Sequence, residues 1–252
     1  MSEIWLIGAA AMLVAAAAWG AIYYAAYTVR SQVLGRTIWR GATDRPAVAL
    51  TFDDGPGPDT PALLDVLREH DVKATFFLIG RRAVQRPEIA RRIVAEGHEI
   101  GNHSQTHRIL LFCSPRRVRY EIFRAQMMIS AVTGVKPRIV RPPCGVRSPS
   151  YFRAVEKSGL KTIQWSVAGF DWKKRAPQEI AAAVLAEAVP GSIILLHDGD
   201  SAGKADRRAT VEAVPLILDG LRKKQLSVVP LNELCRNYEE KPFPAGLSKQ
   251  SV

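Results

Sequence analysis

The chain has 252 residues, 47% of them hydrophobic, and a formal net charge of +11 from 35 Lys and Arg against 24 Asp and Glu. So large an apolar share excludes a disordered chain, and the three cysteines, Cys113, Cys144 and Cys235, are too few for a scaffold held by disulfides. The roughly two hundred residues that follow the first thirty suffice for one domain with a full core.

Ile4 to Val29 is an Ala-rich run without a charge, with Trp5, Trp19, Tyr23, Tyr24 and Tyr27 near its ends. As a helix it would extend about 39 Å, more than the ~30 Å hydrocarbon core of a bilayer. A cleaved secretory signal is the other reading of such a stretch. Met1-Ser-Glu3 lacks the basic start of a signal, and the apolar run is longer than a signal core. We therefore expect a single-pass transmembrane anchor over residues 1–30 and a juxtamembrane linker over 31–44. Arg30, Arg36 and Arg40 follow the span, which by the positive-inside rule favours a domain on the cytoplasmic face.

From residue 45 strand and helix signals alternate. Strands are predicted at Ala47–Phe52, Ala74–Ile79, Gly97–Ile100, Arg138–Val140, Thr162–Val167, Ser192–Leu196 and Leu226–Val229. Helices are predicted from Thr60-Pro61, at Pro87–Glu96, from Ser114-Pro115 to Val132, and at Pro149–Ser158, Pro177–Ala188 and Asp206–Lys224. Repeated strand-helix units imply a parallel sheet, and such a sheet closed on itself is a barrel with its chemistry at the carboxyl ends of the strands. The domain is placed at residues 45–236, and the polar stretch 237–252 reads as a flexible tail.

The chemistry-bearing residues cluster at those strand ends. Thr51-Phe-Asp-Asp-Gly-Pro56 and His103-Ser-Gln-Thr-His107 supply two imidazoles and two carboxylates. Two imidazoles and one carboxylate leave a metal with an open position for water, and the other carboxylate can take the proton. On a strand, Asp53 and Asp54 would point to opposite sides; on a helical turn, His103 and His107 would share one face. His70 and His98 fall away from the strand ends and read as structural.

With Arg141-Pro-Pro-Cys-Gly145, Asp171-Trp172 and Leu195-Leu-His197-Asp198, these make five ordered blocks. The chain from about Arg45 to Leu234 resembles the polysaccharide deacetylases, the NodB-type or carbohydrate esterase family four enzymes. The resemblance implies an irregular seven-stranded (β/α) barrel, here preceded by the transmembrane helix. It implies Asp54, His103 and His107 as metal ligands, Asp53 as the base, and His197 as the acid that protonates the departing nitrogen. Arg141 resembles the arginine that pairs with the base, and Asp171 the carboxylate that orients the acid. Pro143, Cys144, Trp172 and Leu195 would line the substrate groove. The third block of the family usually carries a tyrosine where this chain has Cys144, which alters the pocket rather than the reaction.

The function expected is a metal-dependent N-deacetylase acting on N-acetylated sugars of peptidoglycan or a related polysaccharide. Zinc suits the ligand set best, with cobalt, manganese or nickel as alternatives. A cytoplasmic-face deacylase of a lipid-linked sugar precursor, releasing acetyl or formyl, is the second reading. A catalytically dead glycan-binding protein is the third; its signature would be loss of a ligand, the base or the acid, and none is lost. Family precedent favours an extracytoplasmic domain, against the flanking arginines. Partners expected are the glycan and the membrane, with the chain a monomer. The pairs Arg81-Arg82 and Arg91-Arg92 read as solvated helix faces, and no nucleic-acid motif accompanies them.

Overall fold

The structure is a computed structural model and describes residues 2–238. The first helix, α1 (Ser2–Tyr27), contains a stretch, Ile7–Tyr27, that is long and apolar enough to cross a bilayer, with a mean hydropathy of 1.6 and none of its window buried. The barrel then follows in chain order. Its elements are β1 (Ala47–Asp53), α2 (Thr60–Glu69), β2 (Thr75–Leu78), α3 (Gly80–Gln85), α4 (Pro87–Ala95), β3 (Glu99–Asn102) and α5 (Pro115–Thr133). The second half comprises β4 (Ile139–Val140), α6 (Pro149–Lys157), β5 (Lys161–Thr162), β6 (Val167–Ala168), α7 (Pro177–Glu187), β7 (Ile193–His197), α8 (Arg208–Lys223), β8 (Ser227–Val228) and α9 (Leu231–Leu234).

Every ladder is parallel, and the strands run in the order β5-β4-β3-β2-β1-β7-β6, with β8 pairing the start of β1. All seven predicted strands are present, but the fifth is split. Ile163 still donates its N–H to the Val140 carbonyl and Ser166 to the Ile193 carbonyl, but residues 164–165 leave the ladder between them because the backbone of Gln164 is engaged elsewhere. Its N–H donates to the Ile38 carbonyl and its own carbonyl accepts from Arg141 Nη2. The short helix α3 was not expected from the sequence. The tail expected from residue 237 falls outside the described residues beyond Tyr238. Tyr238 itself is buried, its hydroxyl donating to the Glu99 carboxylate at 2.7 Å.

Strand alternation sorts the barrel into two environments. On β1, Leu50 and Phe52 face outward with Phe76 and Leu196 and pack under Leu63, Leu64, Leu67, Val184 and Ile217 of the helices. Each such side chain taken out of water is worth about 1.5–3 kcal/mol. The inward row of β1 begins with Ala47 and Ala49, which join Phe77, Ile139, Ile193 and α9 in an apolar plug. The same row ends in Thr51 and Asp53. Apolar residues thus fill the lower barrel, and polar ones are left at its carboxyl end.

The basic pairs are largely spent on neighbours. Arg91 bonds Glu88, Arg92 bridges Asp65 and Glu96, and Arg82 is buried with its guanidinium on the Ser201 carbonyl. His98 is structural, as expected: its Nδ1 accepts from the Ala74 N–H at 3.1 Å, and burial pulls its pKa down to about 4.

Candidate active site

Asp53 is the last residue of β1 and His197 the last of β7, and the two are direct partners in the parallel register. The other residues come from the segments that follow β1, β3, β4 and β6. One expectation about the carboxylates is corrected here. Asp54 lies beyond the strand with a left-handed φ of 76°, which swings its side chain back to the side of Asp53. Both carboxylates consequently face His103, at 3.4 Å for Asp54 and 3.7 Å for Asp53.

The second correction concerns the histidines. His103 and His107 lie on a tight loop, not on a helical turn; Ser104 and His107 have φ of 64° and 59°. The loop is built by side chains that compete with helical bonding: Asn102 Oδ1 accepts from the Ser104 N–H, and Ser104 Oγ accepts from the His107 N–H. Glu121 of α5 holds it from outside, accepting from both the N–H and the hydroxyl of Thr106 at 2.8 Å. The result places the two imidazoles with their centroids 5.0 Å apart.

Asp54, His103 and His107 offer three ligand atoms that all lie within 4.8 Å of one another. Three features show that this trio fits a divalent cation. Asp54 Oδ1 is buried with no hydrogen-bond partner, although His107 Nε2 is 3.1 Å away and His103 Nε2 3.4 Å away. His103 Nδ1 lies 2.8 Å from the Arg141 carbonyl, which can only accept; Nδ1 therefore carries a proton, and Nε2 is the nitrogen turned to the trio. Burial, and then the neighbouring His103, pull the pKa of His107 down to about 4, so its imidazole is neutral at physiological pH. Asp54 is ionised: burial opposes this, but His103 and the other nearby imidazoles outweigh it.

The flanking pairs are built in the same way. Arg141 is fully buried, and its Nη1 donates to Asp53 Oδ1 and to Thr51 Oγ1, both at 2.8 Å, while its face covers the Phe77 ring at 4.1 Å. His197 is gripped by Asp171 through two bonds, Nδ1 to Oδ1 at 2.8 Å and backbone N–H to Oδ2 at 2.7 Å. Thr210 adds a third donor to that carboxylate at 2.9 Å. Burial would lower the His197 pKa, but the Asp171 charge outweighs it, and the net shift is upward.

Of the residues expected at the groove, Leu195 is buried on the inward row of β7, two residues below His197. Pro143 is buried, and Cys144 is exposed with a left-handed φ of 55°. The Cys144 thiol lies outside the ligand trio. Its pKa is pushed up by partial burial and by Asp54 and Asp53, so it stays protonated and makes a poor competitor for metal. Trp172 is half-exposed rather than in the core, its ring edge-on to His197 at a centroid distance of 5.2 Å. All three cysteines are free.

Asp198 belonged to the fifth block but drew no role from the sequence. It is buried, its N–H donates to the Asp53 carbonyl at 3.1 Å, and its Oδ2 accepts from the Thr60 hydroxyl at 2.6 Å. It thereby ties the turn after β1 to the end of β7. Burial pushes its pKa up to about 7 despite the Thr60 bond, with the Asp54 and Asp53 charges adding to the rise. A Cβ at position 55 would stand 2.0 Å from Asp198 Oδ2, which explains the glycine there.

A parallel barrel whose strand ends carry an Asp-His-His trio able to hold a metal, between an Arg-held carboxylate and an Asp-held imidazole, defines a hydrolase type of site. The comparisons agree. The polysaccharide deacetylase profile matches residues 40–163. The chitooligosaccharide deacetylase of a Bradyrhizobium strain is 41% identical over 197 residues, 75% of this chain and 90% of its own. Among solved structures, a peptidoglycan N-acetylglucosamine deacetylase bound to 4-naphthalen-1-yl-N-oxidanyl-benzamide superposes with a TM-score of 0.74 at 34% identity, over 81% of this chain and 95% of that one. A family-four pseudoenzyme from Bacillus anthracis gives 0.73 at 32% identity, over 80% and 69%. The chain belongs to the polysaccharide deacetylase family. It is a hydrolase of carbon-nitrogen bonds in acetylated sugars.

Proposed function

We propose that this protein is a metal-dependent N-deacetylase of N-acetylglucosamine units in an envelope glycan, peptidoglycan or a related polysaccharide, tethered to the membrane by α1. The observation that carries the reading is the register pairing of Asp53 with His197 across the Asp54-His103-His107 trio.

A divalent cation held by Asp54, His103 and His107, with zinc the best match to two nitrogens and one oxygen, would supply a Lewis acid that polarises the acetamido carbonyl and acidifies water. Asp53, whose Oδ1 accepts from Arg141 Nη1, takes the proton of the attacking water. His197, kept protonated by Asp171, delivers a proton to the sugar nitrogen as the carbon-nitrogen bond breaks. Trp172 forms a wall for the sugar ring at the acid's side, and Leu195 the apolar floor beside the acetyl methyl. The catalytically dead reading has little support, since ligands, base and acid are all present and adjacent.

The test is acetate release from chitooligosaccharides and from peptidoglycan by the purified protein, before and after dialysis against a chelator. Release that is lost on chelation and restored by zinc is expected; undiminished release from thoroughly stripped protein would remove the metal from the proposal.

A pH prediction follows from the acid. With its pKa raised, His197 keeps its proton above the ordinary ~6.5, and activity falls only as pH climbs through the raised value. In Asp171→Asn the upward push is gone and the downward pull of burial remains. The alkaline limb of the rate profile should move to lower pH, with a loss of about 10²–10⁴-fold near neutrality. The same pair stabilises the fold most fully below about pH 6.5 and progressively less as pH rises through the folded pKa of His197. The stability deficit of Asp171→Asn should therefore shrink in alkali.

A further inference from the structure

The end of α1 is fastened to the rim of the active site. Arg147, six residues after Arg141, is fully buried, and its guanidinium donates to the carbonyls of Ala25 at 3.4 Å, Thr28 at 2.6 Å and Val29 at 3.1 Å. Its own N–H donates to the Ala26 carbonyl at 3.1 Å. A cation thus caps the helix end at which the last carbonyls lack partners and the macrodipole is negative. Ala25, Ala26 and Ser31 are buried by this contact, whereas Ile7, Leu13, Trp19 and Tyr23 are exposed. The helix touches the domain through its final turn.

Because all strands are parallel, the segment after β4 that carries Arg147 lies on the same face as the catalytic groups. The neighbours of β4 in the barrel, β3 on one side and β5 followed by β6 on the other, send their loops to that face around the helix end. Loops 103–114, 141–148 and 163–176 contain one carboxylate, Asp171, and it is buried. They expose Arg108, Lys173 and Lys174 together with Ile109 and Phe112, the last 80% exposed, and Val33 is exposed just beyond the anchor. Tyr23, Tyr24 and Tyr27 mark the headgroup level of a spanning helix. Arg147 binds within that same turn, only three residues from Cys144.

We infer that the mouth of the active site is held against the anionic bilayer surface, and that the N-acetylated glycan it deacetylates is presented there while still carried on a membrane lipid. This rests on the deacetylase reading and on α1 spanning the membrane, and it holds for either side of the bilayer. Cationic and apolar side chains together suit an interface with acidic headgroups. Confinement of enzyme and acceptor to one surface raises the effective concentration of lipid-carried sugar over free sugar. The reaction that supplies the substrate must accordingly be the transfer of a sugar or a sugar 1-phosphate onto a lipid phosphate, and the products are acetate and a lipid-carried amino sugar.

The full chain is reconstituted in phosphatidylethanolamine–phosphatidylglycerol vesicles containing polyprenyl-diphospho-N-acetylglucosamine, with chitotetraose supplied in the buffer at equal bulk concentration. Acetate should come from the lipid-carried sugar about tenfold faster or more. A variant that combines Arg147→Gln with about twenty glycine and serine residues inserted after Arg30 frees the domain from the helix end. It should lose most of that preference while keeping its rate on chitotetraose. Equal rates on the two substrates, or a preference that survives in the freed variant, would overturn the inference. A nitroxide at Phe112→Cys, with the three native cysteines changed to serine, gives a readout without turnover. Contact with headgroups supports the inference, and a label in bulk water overturns it. Failure of the deacetylase reading is recognised separately, as silence of the unlabelled chain with its native cysteines on chitotetraose while the labelled variant still reports headgroups.

Discussion

Asp53→Asn is expected to retain its divalent ion and to lose about 10²–10⁴-fold in turnover, the span usual for removal of a positioned general base. The metal is expected to stay because the proposed ligands are Asp54, His103 and His107, all of which the variant keeps. A second effect accompanies the first. Arg141 is fully buried, and Asp53 is the carboxylate that meets it, at 2.8 Å. Removing one partner of a buried pair leaves an uncompensated charge and costs about 3–5 kcal/mol. The variant should melt earlier than the parent, and Arg141→Met added to Asp53→Asn should recover much of the stability and none of the activity. Metal content, melting temperature and acetate release measured on the same preparations separate the two roles. Full activity in Asp53→Asn would refute the assignment of the base.

His103→Ala should abolish activity by a different route, through the metal. The imidazole is aligned by the Arg141 carbonyl and stands 3.4 Å from Asp54 Oδ1. Loss even of outer partners of a metal ligand costs about 10–100-fold in affinity, so loss of the ligand itself should exceed that range. Its removal also withdraws the strongest influence holding Asp54 ionised against burial, and the Asp54 pKa should rise. Elemental analysis after dialysis should find the variant nearly free of zinc while its fold, judged by circular dichroism, is kept. Stoichiometric metal in His103→Ala would mean that the ion is held elsewhere.

The sequence was most legible where local pattern and chemistry coincide. The apolar runs of β1, β2 and β7 announce buried parallel strands, and those of β1 and β7 end directly in their reactive residues, Asp53 and His197. The five blocks brought together Asp53, Asp54, His103, His107, Arg141, Asp171 and His197, and the structure gathers all of them at one end of the sheet. Details that depend on a single φ or on a distant partner were hidden. Asp54 reads as a strand residue until its left-handed turn is seen, and the histidine loop reads as helical spacing because the Asn102 and Ser104 side-chain bonds that replace the helix leave no periodic trace. The predicted strand over 162–167 breaks because the Gln164 backbone serves Ile38 and Arg141, which are remote in sequence. Arg147 is one arginine among many in a chain with a formal charge of +11, and only burial against the end of α1 sets it apart. Asp198 had a signal, a carboxylate directly after the acid histidine in a mostly apolar strand.

Asp53 and His197 stand opposite each other on adjacent strands, so their separation is fixed by the spacing of a hydrogen-bonded ladder, about 4.8 Å between backbones. Neither residue depends on a loop for its position. Two of the residues proposed to face the sugar ring, by contrast, come from connecting segments: Cys144 after β4 and Trp172 after β6. Such an arrangement separates two kinds of change. Substitutions and length variation in the connections can retune which glycan is accepted while the distance between proton acceptor and proton donor is left as the sheet made it. A change at Cys144 or Trp172 is, on this architecture, an alteration of diet rather than of digestion.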